Sequence, residues 1–205
     1  MDRLMRRHAI LAALAPAAFV WLTTAVMAGR TLPFDLQVRS QIHALAASPL
    51  TTGLTIVTFF GSLRWLGLGA VAAFLLLRRE GHSRAALVFA VVMAGSIPLE
   101  SGLKLMVQRP RPAPFFGVVE PDTYSFPSGH ALFSTAFYGT LGYISARVAK
   151  SGTQRAIIWL SAISSITLIC LSRVYLGVHY PTDVAGGVLI ACFWMNAVLM
   201  FVKLP

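Results

Sequence analysis

The stretch AALVFAVVMAGSIPLESGLKLM, from Ala85 to Met106, is an apolar run in which Glu100 and Lys104 are the charged residues. A helix needs about 20 apolar residues to cross the hydrocarbon core of a bilayer, and this run is long enough. Five other stretches are similar: Ala9–Ala28, Thr55–Leu77, Gly129–Ala146, Ala156–Leu171 and Thr182–Val202. The sequence therefore predicts an all-α polytopic membrane protein with six transmembrane helices.

The composition of the whole chain agrees with a membrane location. Of the 205 residues, 57% are hydrophobic and 12% are charged, and the mean hydropathy is +0.73. A soluble domain of this size does not need so much apolar sequence, which excludes an ordinary soluble class. Because no linker, low-complexity tract or repeat divides the sequence, we expect residues 1–205 to form a single membrane-embedded domain.

The first stretch has two interpretations, a signal peptide or a retained anchor. Arg3, Arg6 and Arg7 precede it, and residues 26–28 resemble a weak cleavage site. The apolar core of a signal peptide has roughly 7–15 residues, and this run is longer. The length favours a retained anchor.

The distribution of basic residues predicts the orientation. With the N-terminus in the cytoplasm, most of the 17 Lys and Arg residues lie on the inner side. These are Arg3, Arg6, Arg7, Arg78, Arg79, Arg84, Arg147, Lys150, Arg155 and Lys203. The outer side then holds Arg30, Arg39, Arg64, Lys104, Arg109, Arg111 and Arg173. This bias follows the positive-inside rule, so both termini are expected in the cytoplasm, and the net charge of +10 requires no nucleic-acid partner.

The segment between the first two stretches predicts one more helix. Between Pro33 and Pro49, the residues Phe34, Val38, Ile42 and Leu45 share one helical face, which is typical of a short interfacial helix. Two roles are open for this segment, a border for lipid entry or a plain connection.

Three polar motifs fall at the predicted outer ends of the later spans. They read KLMVQRPRP (Lys104 to Pro112), PSGH (Pro127 to His130) and SRVYLGVHYPTD (Ser172 to Asp183). Ser128 is suited to cap a helix, and Gly129 lets the backbone approach a ligand, so the free amides of the first turn favour an anion. Taken alone, this pattern is more often a simple cap.

The cations of these motifs strengthen the interpretation as an anion site. Lys104, Arg111 and Arg173 would each be explained separately by snorkelling to the interface. Snorkelling does not explain why all three fall on the face that is otherwise poor in positive charge. Arg64 has no such context, and we favour snorkelling for it over binding of a second phosphate.

Two histidines complete the chemistry of a phosphate site. His179 and Asp183 are four residues apart, so the aspartate can orient the ring and leave the other nitrogen free to attack. His130 would then donate a proton to the leaving alkoxide. His8, His43 and His82 are expected to be ordinary solvated or hydrogen-bonded residues.

The remaining ionisable residues give two further expectations. Glu100 lies one turn before Lys104, which predicts an i,i+4 ion pair, with a water-filled cleft as the alternative. The chain has seven Asp and Glu residues, too few near the motifs to hold two metal ions, so we expect no metal and no cofactor. Cys170 and Cys192 fall within apolar stretches and indicate neither a disulfide nor a metal site.

The three motifs resemble the signatures of the type 2 phosphatidic acid phosphatase superfamily, K-x6-R-P, P-S-G-H and S-R-x5-H-x3-D, at every fixed position. The resemblance implies that His179 is a nucleophile that forms a phosphohistidine, that Asp183 supports it and that His130 is the general acid. It implies a phosphate site made of Lys104, Arg111, Ser128, Gly129 and Arg173.

A membrane-embedded site that faces outward implies a lipid phosphate as substrate. The resemblance offers undecaprenyl pyrophosphate, phosphatidylglycerophosphate, phosphatidic acid or a lipid A phosphate, and we place the polyprenyl pyrophosphate first. The expected location is the inner membrane of a bacterium. One alternative is a lipid-phosphate binding or transport protein without turnover, against which the histidine set argues. The other is a vanadate-dependent haloperoxidase, against which the six predicted spans argue.

Overall fold

In the computed structural model, residues 3–119 and 122–201 are described, with side chains from residue 14 onward. All regular structure within this part of the chain is α-helical. The helices are α1 (Arg3–Met27), α2 (Leu32–His43), α3 (Ser48–Phe59), α4 (Leu63–Arg79), α5 (Ser83–Val107), α6 (Gly129–Val148), α7 (Gly152–Tyr175) and α8 (Pro181–Phe201). The side chains of Arg3, Arg6 and Arg7, and the residues Val202 and Lys203, lie outside the described part.

The all-α prediction is confirmed, whereas six transmembrane helices are not. By length and apolar character, α5, α7 and α8 qualify as spans, and α3 with α4 makes a fourth if the bent pair counts as one. The apolar part of α1 that is described, Leu14–Met27, is shorter than a span. Helix α6 is long enough, but it buries hydroxyl side chains such as Ser134 and Thr140 inside the bundle. A helix surrounded by protein does not need the apolar surface that lipid requires.

The predicted second span, Thr55–Leu77, is two helices. Helix α3 ends at Phe59, α4 begins at Leu63, and their axes differ by 47°. Ser62 caps α4, because its side chain accepts a hydrogen bond from the Trp65 amide. The break therefore has a local cause in the sequence, a helix cap placed inside an apolar run.

Helix α6 forms the centre of the bundle and packs against α4, α5, α7 and α8, while α1 lies along α8. The core around it contains the fully buried side chains of Leu66, Phe89, Phe126 and Leu132. Gly187 allows α8 to touch the start of α6, since a Cβ there would lie 2.6 Å from the Ser128 carbonyl oxygen. This close approach places the PSGH motif beside the first turns of α8.

The helix expected between Pro33 and Pro49 is α2, which ends at His43. Phe34, on the face predicted to be apolar, is 56% exposed, while Asp35 and Arg39 are buried. Helix α2 packs on α7 and α8, with Asp35 bonded to Thr182 and Ile42 packed against the cluster that contains Val174. The predicted apolar stripe is divided, since Phe34 and Leu45 are exposed while Ile42 packs against the bundle. Hydrogen bonds of Asp35 and Arg39, which periodicity does not show, fix this helix.

Candidate active site

The three motifs meet at one end of the bundle. Lys104 lies in the last turn of α5, Arg111 in the following loop, and His130 in the first turn of α6. Arg173 lies in the last turn of α7, and His179 lies in the short loop that leads to α8. His130 is close enough to interact electrostatically with Lys104, Arg111, Arg173 and His179. Residues that are far apart in the sequence therefore form a single cluster.

His179 is held between an aspartate and an arginine, with 1% of its surface exposed. Its Nδ1 lies 3.4 Å from Oδ2 of Asp183, which is a loose contact and not a well-formed hydrogen bond. That same Oδ2 accepts a hydrogen bond of 2.9 Å from the Tyr180 amide. On the other side of the ring, Nε2 lies 3.2 Å from Nη1 of Arg111. The ring therefore presents Nδ1 to the carboxylate and Nε2 to a cation.

The charge state of His179 follows from this environment. Burial lowers the pKa of His179, the neighbouring Asp183 opposes that effect, and Arg173 and Arg111 add to it, so that the pKa lies below its ordinary value. The net direction favours a neutral imidazole near neutral pH. A neutral ring has a free electron pair and is competent for attack.

The two arginines are oriented by neighbouring hydroxyl and carbonyl groups. Arg173 is 2% exposed, and its Nη1 donates to Oγ1 of Thr58 at 2.6 Å. Arg111 donates from Nε to the Thr123 carbonyl at 2.7 Å and from Nη2 to the Thr123 hydroxyl at 3.0 Å. Both guanidinium groups are therefore fixed before any ligand arrives, which is the arrangement that electrostatic stabilisation requires.

Lys104 forms the ion pair expected from its spacing to Glu100. Its Nζ lies 2.6 Å from Oε1 of Glu100, and both side chains are largely buried. The same carboxylate lies against the PSGH motif, because a Cβ at Gly129 would come within 2.8 Å of Oε1. Gly129 therefore leaves room for the Glu100 carboxylate, in addition to the role inferred from sequence.

Ser128 occupies the N-cap position of α6 without making a side-chain cap hydrogen bond. Its amide donates to the Asp183 carbonyl at 3.0 Å. Its hydroxyl is buried and has no hydrogen-bond partner among the described residues. A buried hydroxyl without a partner is costly. The expected cap bond is thus absent.

Sequence reasoning missed several residues that hold the site together. From the sequence, Arg109 is only one of the basic residues on the outer side. In the structure, its guanidinium contacts Asp183 and Asp35. Gly61 lies against His130, since a Cβ at Gly61 would lie 3.1 Å from Cδ2 of that ring. The repeated Arg-Pro pair in RPRP could have drawn attention to Arg109. No sequence pattern marked Thr58, Asp35 or Gly61 as part of the site.

The chain matches the PAP2 superfamily over residues 85–204. It is 30% identical to an undecaprenyl-diphosphatase of Sulfolobus acidocaldarius over 172 residues, which cover 82% of this chain and 77% of that protein. It is 34% identical to phosphatidylglycerophosphatase B of Bacillus subtilis over 90 residues, 43% of this chain and 44% of that protein. A decaprenylphosphoryl-5-phosphoribose phosphatase of Mycobacterium tuberculosis is 34% identical over 127 residues, 60% of this chain and 63% of that protein.

The fold has a counterpart among solved structures. The transmembrane PAP2 type phosphatidylglycerolphosphate phosphatase from Bacillus subtilis aligns with a TM-score of 0.83 and 24% identity, over 93% of this chain and 94% of that chain. The chain belongs to the PAP2 superfamily of phosphatases, as its motifs predicted. It is an integral membrane protein related to lipid phosphatases.

Proposed function

We propose that this protein is a membrane lipid phosphatase that hydrolyses the phosphate or pyrophosphate monoester of a lipid at the outer face of the membrane, with transfer of one phosphoryl group through a phosphohistidine. The observation that carries the proposal is the placement of His179, buried with Nδ1 toward Asp183 and Nε2 toward Arg111. Nε2 is the attacking atom, and Asp183 stabilises the positive charge that the ring acquires.

In this proposal, the cations bind the phosphoryl group. The transition state of phosphoryl transfer spreads negative charge over its equatorial oxygens, so that catalysis depends mainly on fixed positive groups. Lys104, Arg111 and Arg173 supply these charges. The Ser128 hydroxyl and the first amides of α6, beginning at Gly129, complete the phosphate site.

His130 acts as the general acid. It opens α6 beside Gly61 and within electrostatic range of His179. Protonation of the leaving oxygen by His130 assists departure of the alcohol from a phosphate monoester or of the lipid phosphate from a pyrophosphate, after which His130 takes a proton from the water that hydrolyses the phosphohistidine.

No metal ion takes part in the proposed mechanism. The carboxylates closest to the site already serve basic residues, because Glu100 pairs with Lys104 and Asp183 pairs with Arg109. Moving them onto a metal would leave buried cations without their partners. Turnover is therefore expected to continue in excess chelator.

For the substrate, we place a polyprenyl pyrophosphate first. The undecaprenyl-diphosphatase relative aligns over 82% of the chain, and the decaprenylphosphoryl-5-phosphoribose phosphatase also acts, by its name, on a polyprenyl lipid. Phosphatidylglycerophosphate comes second, on the basis of the Bacillus relative.

The test is phosphate release by the purified full-length chain in detergent, with and without excess EDTA. The substrates are undecaprenyl pyrophosphate, phosphatidylglycerophosphate, phosphatidic acid and a lipid A phosphate. During turnover, an acid-labile, base-stable phosphate should form on the protein and be absent in His179→Gln. Lipid binding without phosphate release would favour the non-catalytic alternative. Activity lost in EDTA and restored by magnesium would reject the histidine mechanism.

A further inference from the structure

Arg109 is joined to two fully buried carboxylates. Its Nη1 lies 2.6 Å from Oδ1 of Asp183, and its Nη2 lies 2.7 Å from Oδ2 of Asp35. Both aspartates are 0% exposed. The ring of Tyr180 lies 4.0 Å from the guanidinium carbon. Because both terminal nitrogens donate to carboxylates, Arg109 differs from Arg111, one of whose terminal nitrogens lies beside Nε2 of His179.

Asp35 connects this pair to the start of α8. Its Oδ1 accepts a hydrogen bond of 3.0 Å from the Thr182 amide, and its Oδ2 accepts one of 2.8 Å from the Thr182 hydroxyl. That hydroxyl also accepts a hydrogen bond from Arg109 at 2.9 Å. Helix α2 thus holds the residue that immediately precedes Asp183.

The arrangement has an electrostatic consequence for His179. Arg109 engages one oxygen of Asp183, so that the other faces Nδ1 of the ring. A guanidinium this close would by itself reduce the field of Asp183 at the imidazole. Asp35 supplies a second negative charge, and the formal charges of Asp35, Arg109 and Asp183 sum to that of a single carboxylate.

We propose that Arg109 and Asp35 are positioning residues for His179: Arg109 fixes the rotamer of Asp183, and Asp35 offsets the Arg109 charge so that Asp183 acts on the ring as a full negative charge. This inference rests on the proposed function, in which His179 and Asp183 form the nucleophilic pair. A purely structural role, in which the network only pins α2 to α8, is the alternative.

Variants that change the charge of Arg109 or Asp35 separate the two roles. If Asp35 offsets the Arg109 charge, the two single variants should shift the pKa of His179 in opposite directions. Arg109→Gln leaves two negative charges near the ring and should raise the pKa of His179. Asp35→Asn leaves a neutral cluster and should lower it. The double variant restores a single negative charge and should return the pKa toward that of the parent. We expect each single shift to be about half a pH unit or more.

The other charged groups that face His179 stay unchanged in these variants. They are Arg111 from the loop after α5, His130 from α6, Arg173 from α7 and Asp183 itself from α8. A shift can therefore be attributed to the altered residue.

The experiment is an NMR titration of the full chain in detergent with histidines selectively labelled with ¹³C. The His179 signal is assigned by its loss in His179→Gln. Glu80→Gln is the control, since it removes an exposed carboxylate at the end of α4. Shifts of the same sign in Arg109→Gln and Asp35→Asn, or no shift in either, would overturn the proposal.

A conservative variant covers the case in which Asp35→Asn does not fold. Arg109→Lys keeps the charge but cannot bridge both aspartates with a planar group. It should leave the pKa of His179 near that of the parent while kcat falls more than KM rises, whereas Arg109→Gln should move the pKa upward. A raised pKa in Arg109→Lys would contradict the charge-offset role.

The titration does not depend on turnover, so opposite shifts in a protein that releases no phosphate would reject the proposed function and keep the inference.

Discussion

The imidazole of His179 lies beside one carboxylate and two guanidinium groups, so its charge state depends on the balance between them. Burial lowers the pKa of His179 from its ordinary value of 6.5, with Asp183 opposing and Arg173 and Arg111 adding to the effect. Attack requires the neutral ring, which persists as the pH falls through 6.5. The acid limb of kcat/KM for p-nitrophenyl phosphate should therefore lie below 6.5 in a pH series. A limb above 6.5 would show that the ring is not buried as a neutral group.

The two site histidines should respond differently to the leaving group. His130→Ala removes the proposed general acid. We therefore expect kcat/KM to fall about 10²-fold or more for a lipid phosphate monoester, whose leaving group is an alkoxide. A p-nitrophenolate leaves with little help, so its hydrolysis should fall much less. His179→Ala should abolish both reactions, because it removes the proposed nucleophile. The measurement is the ratio of kcat/KM for the two substrates.

His82→Ala serves as the control for this comparison, since His82 is exposed at the opposite end of α5. Equal losses for both leaving groups in His130→Ala would remove His130 from the role of acid.

At the scale of elements, the break between α3 and α4 contributes to the site although no motif marks it. Thr58 accepts the hydrogen bond of Arg173 at 2.6 Å, Gly61 lies against Ile169 and the ring of His130, and the Phe60 carbonyl accepts a bond from the Tyr138 hydroxyl at 3.1 Å. The bend thus belongs to the architecture of the site.

Thr58→Val tests this contribution. A hydrogen bond to a charged group is worth about 1.5–3 kcal/mol, so a fall in kcat/KM of roughly ten- to a hundredfold is expected. Thr58→Ser keeps the hydroxyl and should retain most of the activity. Thr55→Val is the matched control on the same helix, where the hydroxyl donates to the Thr51 carbonyl of its own helix. If Thr58→Val and Thr55→Val lose activity equally, Thr58 has no special role in orienting Arg173.

The parts of the fold that sequence could predict are those with local signals. Hydropathy located α5 and α8 within a few residues, and the i,i+4 spacing gave the pair of Glu100 and Lys104. The role of Asp35 could not be predicted, because its partner Thr182 is 147 residues away. A lone aspartate on an otherwise amphipathic helix is normally read as its solvent face. Contacts of this range become visible only in the packed bundle.

At the scale of the whole molecule, the bundle separates a motif end from a basic end. The motif end holds the ends of α5 and α7 and the starts of α6 and α8. The opposite end holds exposed arginines at the termini of helices, namely Arg78, Arg79, Arg84, Arg147 and Arg155. This division is what the positive-inside rule requires of a protein whose motif end faces outward.

Cysteine labelling in intact cells tests which end faces outward. In a background in which Cys170 and Cys192 are replaced, Val119→Cys marks the motif end, since Val119 is 93% exposed. Gly152→Cys and His82→Cys mark the basic end, and the Gly152 position has open space for a side chain. An impermeant thiol reagent should label Val119→Cys in intact cells and the other two only after permeabilisation.

Each variant should first be shown to release lipid phosphate, so that a misfolded chain is not scored. Labelling of Gly152→Cys and His82→Cys, with protection of Val119→Cys, would place the site in the cytoplasm. The substrate would then have to be a lipid phosphate of the inner leaflet.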